Sequence, residues 1–512
     1  MMDQLTTFSL LACYFVAIVV LCIYGMHRYW LVWLCLRHRG AVPVEPARHF
    51  EALPRVTVQL PMFNEPLVAE RIIRAVCRLD YPHDRLQIQV LDDSTDKTAG
   101  IARRCCEEMV RSGHDVEYRH RSHRRGYKAG ALGEGLESAT GEFIALFDAD
   151  FIPPREFLQR AIHHFTDASV GMVQARWSHL NRDETLLTRI QAMSLDAHFL
   201  IEQAARASTG RWFNFNGTAG MWRRACIDDA GGWQHDTLTE DTDLSYRAQL
   251  AGWRFRYLSH LCCPAEIPPT MRAVIGQQHR WNKGLIQTAI KLLPRILASD
   301  APLRVKIESW FHLTAPLPYV CILFLSLLAL PGIFTLPLEG VTAPLVLGVG
   351  LACLAMGTMA ACVFYVVSQR VQSISLWRTV LRLPALMAIG VGISVINTKA
   401  VFEAILGRQS PFVRTPKFDG RLAGATDAAD GTRRMKGLVE LILGIVMIVC
   451  VIFALTRPFT LIGIPFLVLF GAGFFMVGVP LVRGSVGRGL GDTEAVVGRD
   501  GDGGPVRVKG RR

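Results

Sequence analysis

Two aspartates one residue apart, Asp148 and Asp150, follow an apolar run and precede Pro153-Pro154. Carboxylates at this spacing beyond a buried strand can share one divalent cation, Mg²⁺ or Mn²⁺, and leave positions open for a diphosphate. A cation there neutralises the charge that develops on a departing nucleoside diphosphate. The same triplet is also common in surface turns, so its context has to decide. A second acidic group, Thr239-Glu240-Asp241 with Asp243 close behind, reads equally as a helix start, because acidic residues favour the positive end of a helix dipole. It also supplies the carboxylate that sugar transfer needs to take a proton from an acceptor hydroxyl. A third group, Gln277-Gln278-His279-Arg280-Trp281, lies on a helical stretch. Arginine can clamp a phosphate bidentately and tryptophan can stack on the apolar face of a sugar ring; an amphipathic helix with a snorkelling arginine would look the same.

These groups need a scaffold, and the pattern around them predicts one. Residues 55–258 alternate short β-rich runs with helical periodicity, the signature of a mostly parallel sheet. Residues 56–60 read as a strand ending at Pro61-Met62-Phe63-Asn64-Glu65, which opens a helix. Residues 87–91 read as a second, ending at Asp92-Asp93-Ser94, and residues 142–147 as a third, ending at Asp148-Ala149-Asp150. Ligands of open α/β sheets bind beyond the carboxyl ends of strands, so three such ends predict one polar crevice.

The rest of the chain is a different material. Half of the 512 residues are hydrophobic and mean hydropathy is +0.26, with the apolar blocks concentrated at 6–26 and after 312. The formal charge of +12 comes from basic residues beside those blocks and in the C-terminal tail. That is the pattern of a cytoplasmic membrane face, and it argues against nucleic acid as a partner. Thirteen cysteines form no paired framework and read as reduced or lipid-buried thiols. The block at 8–24 reads as an anchor (domain 1–26), with the N-terminus outside because His27, Arg28, Arg37, His38 and Arg39 follow it. Further crossings are expected at about 312–331, 342–367, 437–455 and 459–480, within a membrane region 301–480. The link 332–341 should lie outside, and 368–383 and 403–436 inside, on their arginines and lysines. The uninterrupted apolar core of 384–402 stops at Asn397 and Lys399, short of the ~20 residues a crossing needs. It is therefore expected to lie in the interface, as is 302–312. Five crossings result, with the domain 50–300 and a disordered tail 483–512 on the cytoplasmic side.

An early Asp-Asp, a DxD, a TED and a QxxRW in this order resemble the processive family 2 glycosyltransferases: the cellulose, chitin and hyaluronan synthases. The wording "VQLPMFNE", "IQVLDDSTD", "GYKAGAL", "FDADF", "VQARW", "FNGTAGMWR", "TEDTDLSYRAQLAGW" and "QQHRW" is most similar to the cellulose synthase-like β-mannan and β-glucan synthases. The resemblance covers about residues 52–290 and resumes at Phe412-Val413-Arg414-Thr415-Pro416-Lys417. It implies a GT-A-type, Rossmann-like cytoplasmic domain inserted between transmembrane helices. It further implies an inverting enzyme of a plasma or Golgi membrane that extends a β-linked polysaccharide from UDP-glucose or GDP-mannose, coupled to export. Transfer to a lipid acceptor is the alternative. By the same resemblance Asp92, Asp93, Lys128, Asp148, Gln277 and Arg280 would bind the nucleotide-sugar, and Asp148 and Asp150 the metal. Asp241 would be the general base. Phe215, Asn216, Gly217, Thr218, Glu240 and Trp281 would border the growing glycan. Phe412, Thr415 and Lys417 would belong to a gating loop (about 408–420), although FVRTPK departs from the family's usual FxVTxK. The chain leaves no length for a cyclic-dinucleotide-binding domain after the last crossing, so regulatory or export subunits would be separate.

Overall fold

In the computed structural model, which describes residues 4–38, 45–335, 342–410, 417, 437–456 and 458–486, the expected strand runs do pair side by side. The chain runs α1 (Gln4–Arg37), β1 (Val56–Met62), α2 (Ala69–Cys77), β2 (Leu86–Asp92), α3 (Thr98–Arg111), β3 (Asp115–His120), α4 (Tyr127–Ser138), β4 (Phe143–Leu146) and α5 (Phe157–Ile162). It continues through β5 (Val170–His179), α6 (Leu186–Ala197), a π-helical stretch His198–Gln203, α7 (Ala204–Ser208), β6 (Gly220–Arg223), α8 (Arg224–Asp229), α9 (Glu240–Leu250), β7 (Arg254–Ala265) and α10 (Met271–Ala298). Then come α11 (Leu303–Leu313), α12 (Leu317–Thr335), α13 (Thr342–Val371), α14 (Leu376–Gly392), α15 (Ser394–Ile405), α16 (Leu438–Leu455) and α17 (Ile464–Val486).

The sheet has seven strands in the order β3-β2-β1-β4-β6-β5-β7. β3, β2, β1 and β4 are parallel, β6 runs antiparallel to both neighbours, and β7 is parallel to β5. The central strands are buried on both faces, as a sheet covered by helices on each side requires. Val56, Val58 and Leu60 join Ile88 and Val90 in one core with Phe143 and Phe147. The alternate positions carry a buried polar ladder: Thr57 donates to Gln87 (2.7 Å) and Gln59 to Gln89 (3.0 Å). This ladder pairs the two strands through their buried side chains and fixes the β1/β2 register. From β1 the sheet grows one way through β2 and the other through β4, so the carboxyl ends of β1 and β4 flank a switch point where a crevice opens.

Among the described residues, five segments are long and apolar enough to cross a membrane: Leu11–Arg37, Gly348–Val371, Leu376–Ile405, Leu438–Leu455 and Leu461–Arg483. Leu303–Leu313 and Leu317–Ala329 meet at a 49° bend and would make a sixth as a pair, the break falling at Pro316. The apolar segment expected at 384–402 starts earlier than its charges suggested. Pro384 is accommodated inside α14, so helix extends back to Leu376 and the whole stretch gains two turns. α14 packs on α17 so closely that a Cβ at Gly392 would run into the carbonyl of Gly473. Phe412 and Thr415 of the expected loop, the link at 336–341, and the tail from 487 onward lie outside the described residues.

Candidate functional site

β1, β2 and β4 stop where their polar residues begin, and each stop places a side chain on one cleft enclosing about 1230 Å³, its open mouth included. β1 delivers Pro61, Met62 and Phe63, β2 delivers Asp93, and the turn after β4 delivers Asp148 and Asp150. Asp93 is gripped by Arg121, which donates Nε to Oδ1 (2.7 Å) and an Nη to Oδ2 (2.6 Å). This buried bidentate pair fixes the carboxylate at the cleft wall. Arg124 stacks its guanidinium 3.3 Å from the ring centre of Phe63, with Tyr127 beyond, and both Phe63 and Arg124 line the cleft.

In the middle, Lys128 donates to Asp148 (2.5 Å) and to the Gly217 carbonyl (2.8 Å), while Lys417 pairs with Asp150 (2.6 Å). Burial pulls the Lys128 ammonium down, but Asp148, Glu240 and Asp241 around it outweigh that and hold its pKa above the ordinary value. Asp150 is buried; its desolvation, with Asp148 adding, raises its pKa against the pull of Lys417. The Asp150 Oδ1 is buried without a hydrogen-bond partner. Among the described residues no three His, Cys, Asp or Glu side chains converge on a metal position. A Mg²⁺ or Mn²⁺ ion that uses one or two carboxylates and takes its remaining ligands from phosphates needs no third. The Asp148/Asp150 pair with its orphaned oxygen fits that donor set.

The third part of the cleft comes from two helix segments. α9 starts at Glu240 with Thr239 as N-cap, but the Thr239 hydroxyl makes no capping bond. Asp241 instead faces the cleft: its Oδ2 would lie 3.0 Å from a Cβ on Gly217, which keeps a positive φ of 80°. Burial raises the Asp241 carboxyl to about 7, Glu240 adding to the effect and Lys128 and Arg280 opposing it. From α10, Gln277, Arg280 and Trp281 line the same wall. α9 and α10 are locked together by Lys291, which pairs with Asp243 (2.9 Å) and Asp236 (2.8 Å), and by Gln287, which accepts from the Leu238 amide (2.9 Å).

The sequence pattern of the glycosyltransferase-like family 2 matches residues 54–284, the span that builds this cleft. Residues 54–284 thus carry the sequence pattern of a family 2 glycosyltransferase domain. The chain is 45% identical over 258 residues to glucomannan 4-beta-mannosyltransferase 1 of Oryza sativa subsp. japonica, covering 49% of this chain and 50% of that one. It is 48% identical over 262 residues to glucomannan 4-beta-mannosyltransferase 2 of Arabidopsis thaliana, covering 50% and 48%. The chain thus spans about half the length of the curated relatives it matches. A solved mannosyltransferase from Pyrobaculum calidifontis, in complex with GDP-mannose and Mn²⁺, shares the fold with a TM-score of 0.53 at 23% identity, over 71% of this chain and 98% of that one.

The fold gathers most of the expected residues into the cleft: Asp93, Lys128, Asp148, Asp150, Asn216, Gly217, Glu240, Asp241, Gln277, Arg280 and Trp281, with Lys417 arriving from beyond α15. It does not bring three others there. Asp92 is fully buried behind Asp93, accepting from Tyr118 (2.7 Å) and from the Ser94 amide (2.9 Å). Phe215 is a core residue against Trp222. Thr218 is buried with its hydroxyl accepting the Asp148 amide (2.8 Å), so it orients Asp148 from behind. Sequence reasoning missed Arg121, Arg124 and His179. The two arginines sit in the basic run RSHRRGYK, which gave a signal, but only folding showed that Arg121 meets Asp93 and Arg124 meets Phe63.

Proposed function

We propose that this protein is a membrane-embedded, inverting hexosyltransferase that extends a β-1,4-linked mannan or glucomannan from GDP-mannose. The convergence of the Asp148/Asp150 pair, Asp241 and Trp281 on one cleft carries the reading, and the mannosyltransferase relatives favour mannose over glucose. Asp241 accepts the proton of the acceptor hydroxyl, whose oxygen attacks the anomeric carbon from the face opposite the diphosphate. The bond to the diphosphate breaks, and a single displacement inverts the configuration. Lys128 and Arg280 meet the charge of the leaving group. Asp148 and Asp150 would hold Mg²⁺ or Mn²⁺, which supplies further charge neutralisation when bound. Trp281 stacks against the acceptor sugar and Gln277 orients it. Phe63, Arg124 and Asp93 line the same cleft and would receive the nucleobase and ribose of the donor. The glycosyltransferase domain faces the cytoplasm in this reading.

The test supplies purified protein with GDP-mannose and UDP-glucose in parallel and digests the products with linkage-specific hydrolases. Polymer from GDP-mannose that a β-1,4-mannanase degrades is the expected result. Polymer from UDP-glucose alone, or a single sugar on an organic-soluble lipid, would overturn the proposal.

A further inference from the structure

Behind the cleft, α6 of the glycosyltransferase domain packs on α14: Ile190 and Met193 meet Leu383 and Leu386 in one apolar contact. Arg189 and Arg382 immediately precede two of these residues in the chain, and both are only partly buried. Arg382 is close enough to Arg182, Arg189 and Arg378 to feel all three charges, with Asp183 opposing them. Arg182 is already committed to the buried Asp196 (2.7 Å) and Arg189 to Asp183 (3.2 Å). Among the described residues, Arg378 and Arg382 make no ion pair. Arg378 also stands in the first turn of α14, where the helix dipole adds to the positive potential. Like charges held together in this way are costly without a counter-ion.

The surroundings indicate which counter-ion. Trp377 is 69% exposed, and Leu376, Val380 and Leu381 on the same two turns are exposed as well. This helix opens the apolar stretch Leu376–Ile405. A small inorganic anion gains nothing from an apolar wall beside its site, whereas a phospholipid needs one for its acyl chains. Tryptophan beside arginine is also the pairing found at the level of lipid headgroups. We infer that Arg378 and Arg382, backed by Arg189 and flanked by Trp377, form a binding site for the phosphate headgroup of an anionic phospholipid at the junction of the glycosyltransferase domain and the membrane helices.

The full chain is reconstituted in nanodiscs of phosphatidylcholine with a fixed fraction of phosphatidylglycerol, and the lipids that remain bound are counted by native mass spectrometry. Phosphatidylglycerol should be enriched over its bulk fraction. Arg378→Gln with Arg382→Gln should weaken its retention about 30-fold, taking two arginines at an anionic surface at their usual worth. Transfer activity in detergent should stay unchanged, since neither residue lines the cleft. Trp377→Ala should also reduce retention, and provides a second variant if the double one folds poorly. Equal retention of the two lipids by the native chain, or undiminished enrichment in all variants, would overturn the site. Displacement of phosphatidylglycerol by millimolar inorganic phosphate would assign the site to a free anion and overturn the lipid.

Discussion

At the scale of single residues, the site rests on carboxylates whose surroundings differ. Asp148 keeps 37% of its side chain exposed and is neutralised by Lys128, whereas Asp241 is crowded by Glu240 and burial until its carboxyl holds its proton to about 7. A base works only when deprotonated, so turnover should rise with pH through the raised value, and its acidic limb should lie near neutrality instead of near pH 4. Asp241→Asn should lower turnover by roughly 10²–10⁴-fold, with donor affinity by calorimetry unchanged. The sign for stability is opposite to that of an ion-paired carboxylate. A pKa raised on folding means that stability falls as pH rises from the unfolded value toward the folded one, so at pH 8 Asp241→Asn should melt higher than the native chain. Near-normal turnover, or a lower melting temperature at pH 8, would contradict this account. Asp150 offers a second test. If it and Asp148 hold the cation, chelator should abolish transfer, Mn²⁺ or Mg²⁺ should restore it, and Asp150→Asn should lose most activity while donor retains measurable affinity. Full activity in chelator would remove the metal from the reading. These residues were legible in the sequence because each follows a strand or opens a helix. Asp92 was misplaced because adjacency in a motif does not say which neighbour a strand's alternation turns inward, and Phe215 and Thr218 because the loop before β6 turns them to the core and to the Asp148 amide.

At the scale of elements, α9 and α10 act as one unit. Asp241 stands at the start of α9 and Trp281 within α10, and their separation is held from outside the cleft by Lys291 bridging to Asp243 and Asp236 together with Gln287 on the Leu238 amide. Asp243 is fully buried and shared with Arg247 (2.7 Å). Lys291→Met would leave one of its oxygens without that partner, at about 1–3 kcal/mol of stability. A small drift of the base relative to the acceptor would add a fall in turnover of up to about 10²-fold, with donor affinity retained. Thermal unfolding and steady-state kinetics on the one variant read both effects, and a loss of donor affinity with intact turnover would show that the clamp serves another purpose. None of this was visible in the sequence. The helix start at Thr239 and the helical stretch around Trp281 were predicted separately, and their contact depends on a lysine ten residues beyond the motif. The sheet was partly legible for a related reason. β1, β2 and β4 are apolar and central, whereas β3 (DVEYRH) lies at the sheet edge, is only partly buried, and turns just two apolar residues, Val116 and Tyr118, to the core, too short an alternation to stand out.

At the scale of the whole molecule, the path of Leu376–Ile405 decides the topology. Its length and composition suit a crossing, yet both of its ends touch the glycosyltransferase domain. Leu383 and Leu386 pack on Ile190 and Met193 near the start. At the far end Glu403 pairs with His279 (3.0 Å) and with the buried Lys283 (3.1 Å) of α10. Seven residues past Ser410, whose hydroxyl also meets Lys283, Lys417 sits on Asp150 inside the cleft. A segment that begins and ends on one domain returns to the side it started from. We propose on this ground that Leu376–Ile405 does not cross, which would leave α1, α12, α13, α16 and α17 as the crossings that the charge pattern of the links predicts. The polar residues Asn397 and Thr398, buried in α15, are tolerable in a helix held between α10 and α12 and costly in one facing lipid. Single cysteines placed at Ser375, Arg408 and Thr456 on a cysteine-free background test this with a membrane-impermeant thiol reagent applied opposite the glycosyltransferase domain. Thr456→Cys, in the short connection between α16 and α17, should react, while Ser375→Cys and Arg408→Cys should react only after the membrane is opened. Labelling of Arg408→Cys in sealed membranes would mean that Leu376–Ile405 crosses, and Lys417 could then not reach Asp150 in the membrane-bound protein.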